Sequence, residues 1–224
     1  MRRRMMMGRG LPYDAEIEYL ESTGTQLINS GFTARIGDAI TIIFSFRKQP
    51  FGSDLFSCFN ENDAINYLIF SYIRNIGNKQ RGVRFQYFSN IISTVQYTFT
   101  LNTWYNLHID ASGKATFNNI TITSSPISEI EGDNNTLKLF ADNFIGRIQS
   151  LTVEREGINV LQLIPVRKGT TGYMYDKVSG QLFGNAGTGQ FILGPDKMGG
   201  VIKWLIINTL HGLSNPSLEE RRVA

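Results

Sequence analysis

Alternating apolar and polar residues recur along most of the chain, and this period of two predicts β-strands. The clearest case is residues 39–47, where every second residue is apolar on one face: Ile40, Ile42, Phe44 and Phe46. In residues 104–111 the apolar face opposite Trp104 carries Tyr105, Leu107 and Ile109. Residues 145–155 alternate just as regularly, which predicts Arg147 on the same face as Leu151 and Val153.

The segment 161–195 reads as short strands joined by turns. Residues 176–180 (DKVSG) and 184–189 (GNAGTG) supply the turn chemistry, because glycine accepts positive φ and Asp, Asn and Ser bond to nearby backbone. No useful helical period appears between residues 15 and 195. Many short strands with polar turns predict an all-β fold, a two-sheet antiparallel jelly-roll sandwich.

This pattern predicts three parts in the chain. A basic N-terminal arm covers residues 1–12, one β domain covers residues 13–195, and a C-terminal appendix, an edge strand or short helix, covers residues 196–224. The apolar run at residues 201–210 is too short to span a membrane, which takes about 20 residues. We predict docking to a partner through the two appendages; the alternatives are that the arm is a disordered or lightly tethered terminus and that the appendix covers an edge of its own domain. The predicted docking residues are Arg2, Arg3, Arg4, Val201, Trp204 and Leu205.

Composition narrows the class of protein. Of the 224 residues 42% are hydrophobic, which excludes a disordered chain. The net charge is +3, which Arg2, Arg3 and Arg4 of the arm match by themselves, so the roughly neutral body argues against nucleic-acid binding. Cys58 is the single cysteine and there are two histidines, which excludes an intrachain disulfide and a cysteine-based zinc site. The apolar run at residues 5–7 is too short for a signal peptide.

Candidate ligand-binding residues follow from side-chain chemistry. An exposed aromatic residue with acidic partners suits carbohydrate, and the candidates are Trp104, Asp54 and Asp63. Calcium takes oxygen ligands, which Asp133, Asn134 and Asn135 offer in one loop. The same residue types also form turns, so both interpretations of this loop stay open.

Several motifs together resemble a known family. They are EIEYLESTGTQ at residues 16–26, FIGRIQSLTV at 144–153, LIPVR at 163–167, GYMYD at 172–176 and the glycine-rich run at 184–189. In this order and spacing they resemble the laminin-G-like, concanavalin A-like jelly-roll domains of phage and prophage proteins of gut bacteria. The resemblance implies a non-catalytic virion structural or decoration protein, head-fibre or tail-associated, which displays a lectin-like sandwich.

The resemblance also implies partners and a location. The partners are other virion proteins and host-surface glycans, in a homo-oligomer or larger assembly, with no cofactor beyond calcium. The protein would be made in the host bacterial cytoplasm and reside on the virion. An alternative is a glycoside hydrolase on the same fold, because Glu16 and Glu21 mimic the spacing of a retaining carboxylate pair. A solvated acidic strand face is the simpler interpretation of these glutamates.

Overall fold

A computed structural model describes residues 10–48, 52–58, 68–74, 81–88, 93–124 and 136–197. Every regular element in these ranges is a strand. Residues 1–9 and 198–224 fall outside them. The predicted docking residues Arg2, Arg3, Arg4, Val201, Trp204 and Leu205 therefore lie outside the described residues, and their roles stay predictions.

The larger of two antiparallel sheets has eleven strands within the described ranges. Its strands are β1 (Ala15–Glu16), β2 (Leu20–Thr23), β4 (Asp38–Phe46), β9 (Tyr105–Ile109), β10 (Lys114–Phe117), β11 (Ile120–Thr123), β13 (Ile145–Arg155), β14 (Ile158–Lys168), β15 (Thr171–Asp176), β16 (Leu182–Phe183) and β17 (Ile192–Leu193). The main order is β11-β10-β9-β4-β13-β14-β15-β16. Strand β2 pairs with β13 on the edge that β14 also uses, and β17 pairs with β2.

The smaller sheet has the order β3-β12-β5-β6-β7-β8. Its strands are β3 (Ile28–Thr33), β5 (Ser53–Cys58), β6 (Leu68–Arg74), β7 (Arg81–Tyr87), β8 (Ser93–Gln96) and β12 (Thr136–Leu139). The sheets pack face to face through aromatic side chains: Phe44 contacts Phe70, and Phe46 contacts Tyr72. The predicted all-β, two-sheet sandwich is confirmed.

The apolar faces predicted from alternation form the core. The four residues of the predicted apolar face of β4 are at most 1% exposed, and Tyr105, Leu107 and Ile109 of β9 are buried while Trp104 is exposed. Cys58 is also buried in this core, and burial raises the pKa of its thiol to about 12. Aromatic rings bury large apolar areas, so this layer supplies the main drive for the two sheets to associate.

Strand β13 departs from the predicted alternation. Its register with β4 shifts between Ile148 and Ser150, so Ile148 and Leu151 are both buried although they are three residues apart. The shift is a bulge, which reverses the face of every later side chain. The prediction that Arg147 shares a face with Leu151 is therefore wrong: Arg147 lies on the outer face of the sheet.

The glycine-rich run predicted as a turn is hydrogen-bonded to the segment between β2 and β3. The backbone N–H of Ala186 donates to the carbonyl of Leu27 at 2.7 Å, and that of Thr188 donates to the carbonyl of Thr25 at 2.9 Å. A Cβ at Gly187 would come within 2.2 Å of the Thr25 carbonyl oxygen. This close approach requires glycine, and it ties the end of the domain to the segment that follows β2.

Candidate functional site

Two aromatic rings lie side by side on the outer face of the larger sheet. Trp104, immediately before β9, is 41% exposed. Its ring centroid is 5.9 Å from that of Tyr19, a half-buried residue between β1 and β2. An aromatic residue as exposed as Trp104 on a sheet face is available to stack against a ligand.

A charged group adjoins these rings. The guanidinium carbon of Arg147 lies 4.3 Å from the Tyr19 ring centroid, a cation–π contact. Its Nε donates to Glu21 Oε2 at 2.5 Å, and the Nε of Arg47 donates to Glu21 Oε1 at 3.3 Å. Glu21 thus bridges two guanidinium groups. Nη1 of Arg47 donates a hydrogen bond to Oδ1 of Asn102. We call these side chains the outer-face cluster: Tyr19, Glu21, Arg47, Asn102, Trp104 and Arg147.

Strand register brings the cluster together. Arg147 of β13 lies directly opposite Glu21 of β2 on one side and Ser45 of β4 on the other. Ile192 of β17, 48% exposed, continues the row beyond Glu21. Directly opposite residues have neighbouring side chains, so β2, β4 and β13 fix the positions of these groups.

One polar group in this row is unsatisfied. Ser45 is 1% exposed, and its hydroxyl has no hydrogen-bond partner within the described ranges. An unsatisfied buried hydroxyl costs about 1 to 3 kcal/mol, so such groups often mark places where a water or ligand belongs. Ser45 lies directly opposite Arg147 of the outer-face cluster.

The chemistry of the cluster suits a ligand with an apolar face and polar substituents. Trp104 and Tyr19 provide stacking surface. The bond from Arg147 to Glu21 uses only Nε, so the Nη groups of Arg147 do not bind Glu21. The exposed fractions of the Arg147 and Arg47 side chains are 21% and 38%, so solvent reaches both.

The structure places Asp54 apart from Trp104, in β5 of the smaller sheet. Asp54 is 4% exposed, and Nη2 of Arg84 is 3.9 Å from its carboxylate. Burial and then repulsion by Asp142 raise the pKa of Asp54 to about 7, although Arg84 opposes the shift. Asp54 and Trp104 therefore do not form one site, and a buried aspartate with a raised pKa is a proton-binding group at neutral pH.

The remaining predicted ligands fall outside the described residues: Asp63, Asp133, Asn134 and Asn135. Among the side chains that the structure describes, no group of three or more His, Cys, Asp or Glu could hold a metal ion. Calcium binding stays a prediction on the loop that carries Asp133.

The two glutamates of the hydrolase alternative have different partners. Glu16 pairs with Lys177 Nζ at 3.2 Å and accepts a hydrogen bond from the Tyr13 hydroxyl at 3.4 Å. Glu21 instead has both carboxylate oxygens bound by arginine. A retaining pair needs its carboxyl groups about 5 Å apart on either side of one substrate bond. The ion pairs of Glu16 and Glu21 give this alternative no support.

Sequence reasoning found Trp104 and missed most of its neighbours. Tyr19, Arg47, Asn102 and Arg147 are far apart in the chain, and the sheet brings them together. A weak signal was present, because Arg47 falls on the polar face of the β4 alternation. The bulge hid the corresponding signal in β13.

No protein-family model matches the chain, and no curated protein shows significant similarity to it. No helix in the part of the chain that the structure describes is long and apolar enough to cross a membrane.

Proposed function

We propose that the sandwich is a non-catalytic glycan-binding module and that its ligand stacks on Trp104 and Tyr19. The observation that carries the proposal is the exposed Trp104 ring beside Tyr19, with an arginine–glutamate group adjoining both. Sugar rings present C–H faces that stack on aromatic rings, and their hydroxyl groups bond to arginine, glutamate and amide side chains.

The role on a particle is the second part of the proposal. The resemblance to phage laminin-G-like domains supports a virion structural or decoration subunit, assembled with other virion proteins. Many copies on one particle would raise the avidity of a weak glycan site without any new contact. Mass spectrometry of purified virions tests this part independently of glycan binding.

A glycan array followed by fluorescence titration tests the binding proposal. The chain has two tryptophans, Trp104 and Trp204, so Trp204→Phe leaves Trp104 as the sole tryptophan reporter. We expect Trp104 emission to change on addition of the selected glycan. In a calorimetric titration, Trp104→Ala should weaken binding by about tenfold or more, which corresponds to about 1.4 kcal/mol of stacking.

Ile158→Ala is the matched control, because Ile158 is 68% exposed in β14 of the same sheet and lies outside the outer-face cluster. It should bind glycan as the wild-type protein does. If Trp104→Ala also binds as tightly as wild type, the proposed site is wrong. If no glycan binds at millimolar concentration, the proposed function is wrong. Cleavage of the bound glycan would instead favour the hydrolase alternative.

A further inference from the structure

We propose that the outer-face cluster selects acidic sugars, with Arg147 binding the sugar carboxylate and Arg47 adding charge. This inference rests on the proposed glycan-binding function and names the class of ligand. It follows from three properties of the cluster: its charge, the way Glu21 holds the arginines, and the contact of Arg147 with Tyr19.

The charge of the cluster is positive. Glu21 is its one acidic group and faces two arginines, since Arg47 and Arg147 each bind a different oxygen of the same carboxylate. Asn102, the other partner of Arg47, is neutral and neutralises nothing. One guanidinium charge is therefore left without a counter-ion in the cluster, and a ligand carboxylate would neutralise it.

Glu21 positions the arginines without occupying their ends. The bond to Arg147 uses Nε alone, so the Nη1 and Nη2 groups take no part in it. These two groups form the fork that binds a carboxylate through two parallel N–H···O bonds. A second carboxylate can thus bind Arg147 while Glu21 keeps the guanidinium in place.

Tyr19 links charge recognition to stacking. Its ring contacts Trp104 on one side and carries the Arg147 guanidinium 4.3 Å from its centroid. A planar guanidinium on an aromatic ring has less freedom to lose when it binds. A sugar ring stacked on the aromatic pair would bring a carboxylate on that ring or the next within reach of Arg147.

The buried hydroxyl of Ser45 is an independent observation at the same place. Ser45 is opposite Arg147 and at 1% exposure has no hydrogen-bond partner in the described part of the protein. A polar group or water that arrives with the ligand can satisfy this hydroxyl when the overlying side chains rearrange.

Esterification provides the sharpest test, because it removes the charge and leaves the sugar ring. We would titrate the protein with trigalacturonate and with its methyl ester, and with 3′-sialyllactose and lactose as a second pair. We expect at least one acid to bind about tenfold or more tighter than its neutral partner, and the preference to shrink with added salt. The sugar that binds distinguishes uronic acids from sialic acids.

Arg147→Met should abolish the preference for the acid over its neutral partner, and the acid should lose clearly more affinity than the neutral sugar. Lys168→Met is the charge control, since Lys168 is exposed at the end of β14 and should not affect the preference. If Arg147→Met does not fold, Arg47→Met tests the same charge at a side chain that is 38% exposed. This variant should at least halve the acid preference.

The outcomes separate this inference from the proposed function. Equal binding of acid and ester, abolished by Trp104→Ala, would overturn the acid selectivity and leave glycan binding intact. A sulfated trisaccharide that binds as tightly as the carboxylate would overturn carboxylate selection in favour of general anion binding. Failure of every sugar to bind would overturn both.

Discussion

Strand β13 carries an arginine near each end, and the two arginines have different surroundings. Arg155 binds Asp38 with two bonds, from Nε at 2.7 Å and from Nη2 at 2.9 Å, and the Asp38 side chain is fully buried. Arg147 binds Glu21 with Nε alone, and Glu21 also binds Arg47. Each guanidinium lies near an aromatic ring, that of Phe32 or that of Tyr19.

A guanidinium, a carboxylate and an aromatic ring therefore serve two purposes. At Asp38 two guanidinium nitrogens, Nε and Nη2 of Arg155, bind the carboxylate. The carboxylate also accepts a bond from the backbone N–H of Arg35 at 2.8 Å, so the group is satisfied within the fold. Arg147 binds Glu21 through Nε, so its Nη1 and Nη2 groups do not bind that carboxylate, and the exposed Trp104 lies nearby. The bulge in β13 places the two arginines on opposite faces of the sheet: Arg147 lies on the outer face and Arg155 on the inner face.

The largest expected effect is on the satisfied pair. Asp38→Ala leaves the Arg155 charge without its buried partner, and breaking a buried pair costs about 3 to 5 kcal/mol of unfolding free energy. Urea denaturation measures the loss. Asp196→Ala is the matched control: Asp196 also binds its arginine, Arg167, with two bonds, but the Asp196 side chain is 49% exposed, so little change is expected. Equal losses would show that burial is not what matters.

Asp54 extends the comparison to a carboxylate with a distant arginine. Burial and Asp142 raise its pKa from 3.8 to about 7, so the folded protein binds this proton more tightly than the unfolded chain. The stabilisation is therefore complete below about pH 4 and is lost as the pH rises towards 7. Relative to wild type, the unfolding free energy of Asp54→Asn should be higher by up to roughly 4 kcal/mol at pH 8 and almost unchanged at pH 4.

Denaturation midpoints across this pH range measure the effect. Asp142→Asn is the companion variant, because it removes the second carboxylate and should move the midpoint of the pH dependence to lower pH. Stability curves for wild type and Asp54→Asn that run parallel from pH 4 to 8 would show that Asp54 does not titrate there.

Gly187 lies where the glycine-rich run at residues 184–189 approaches the segment after β2. Gly187→Ala would put a methyl group 2.2 Å from the Thr25 carbonyl oxygen, so the segment after β2 must move, at a cost of about 1 to 3 kcal/mol. Gly184→Ala is the control in the same loop, since its Cβ would meet only Tyr173 at 3.4 Å. We expect thermal denaturation to show a loss for the first variant alone. An unaltered melting temperature in Gly187→Ala would show that the close approach of Gly187 to Thr25 does not contribute to stability.

Local pattern was enough to predict the sandwich. The apolar faces of β4 and β9 follow directly from alternation, and the turn at residues 176–180 follows from an aspartate that accepts backbone N–H groups. Burial would raise the pKa of Asp176, but the hydroxyl of Ser179 and the backbone N–H groups of Gln162, Val178 and Ser179 outweigh it and lower the pKa. Such turn chemistry lies within a few residues and is legible in the sequence.

The candidate site could be predicted only in part, for two physical reasons. Trp104 was found because the alternation at residues 104–111 places it opposite the apolar face of Tyr105, Leu107 and Ile109. Its contact with Tyr19, and that of Arg147 with Glu21, depend on which strands pair and in what register, across 126 positions for the second pair. The bulge between Ile148 and Ser150 has no glycine or proline to mark it, so the face of Arg147 was predicted wrongly.

The smallest expected effects compare the two ends of β13 directly. Lysine keeps the charge but has no fork, so Arg155→Lys should lose one of two charged hydrogen bonds and about 1 to 2 kcal/mol of unfolding free energy. Arg147→Lys replaces a single bond on the outer face, and its stability should fall by less than about 1 kcal/mol. Urea denaturation of both variants under one set of conditions measures the difference. Because Glu21 does not bind the Nη groups of Arg147, their loss in Arg147→Lys should instead appear as weaker binding of acidic sugars. If Arg147→Lys lost more stability than Arg155→Lys, the structural basis for assigning Arg147 to ligand binding would be gone.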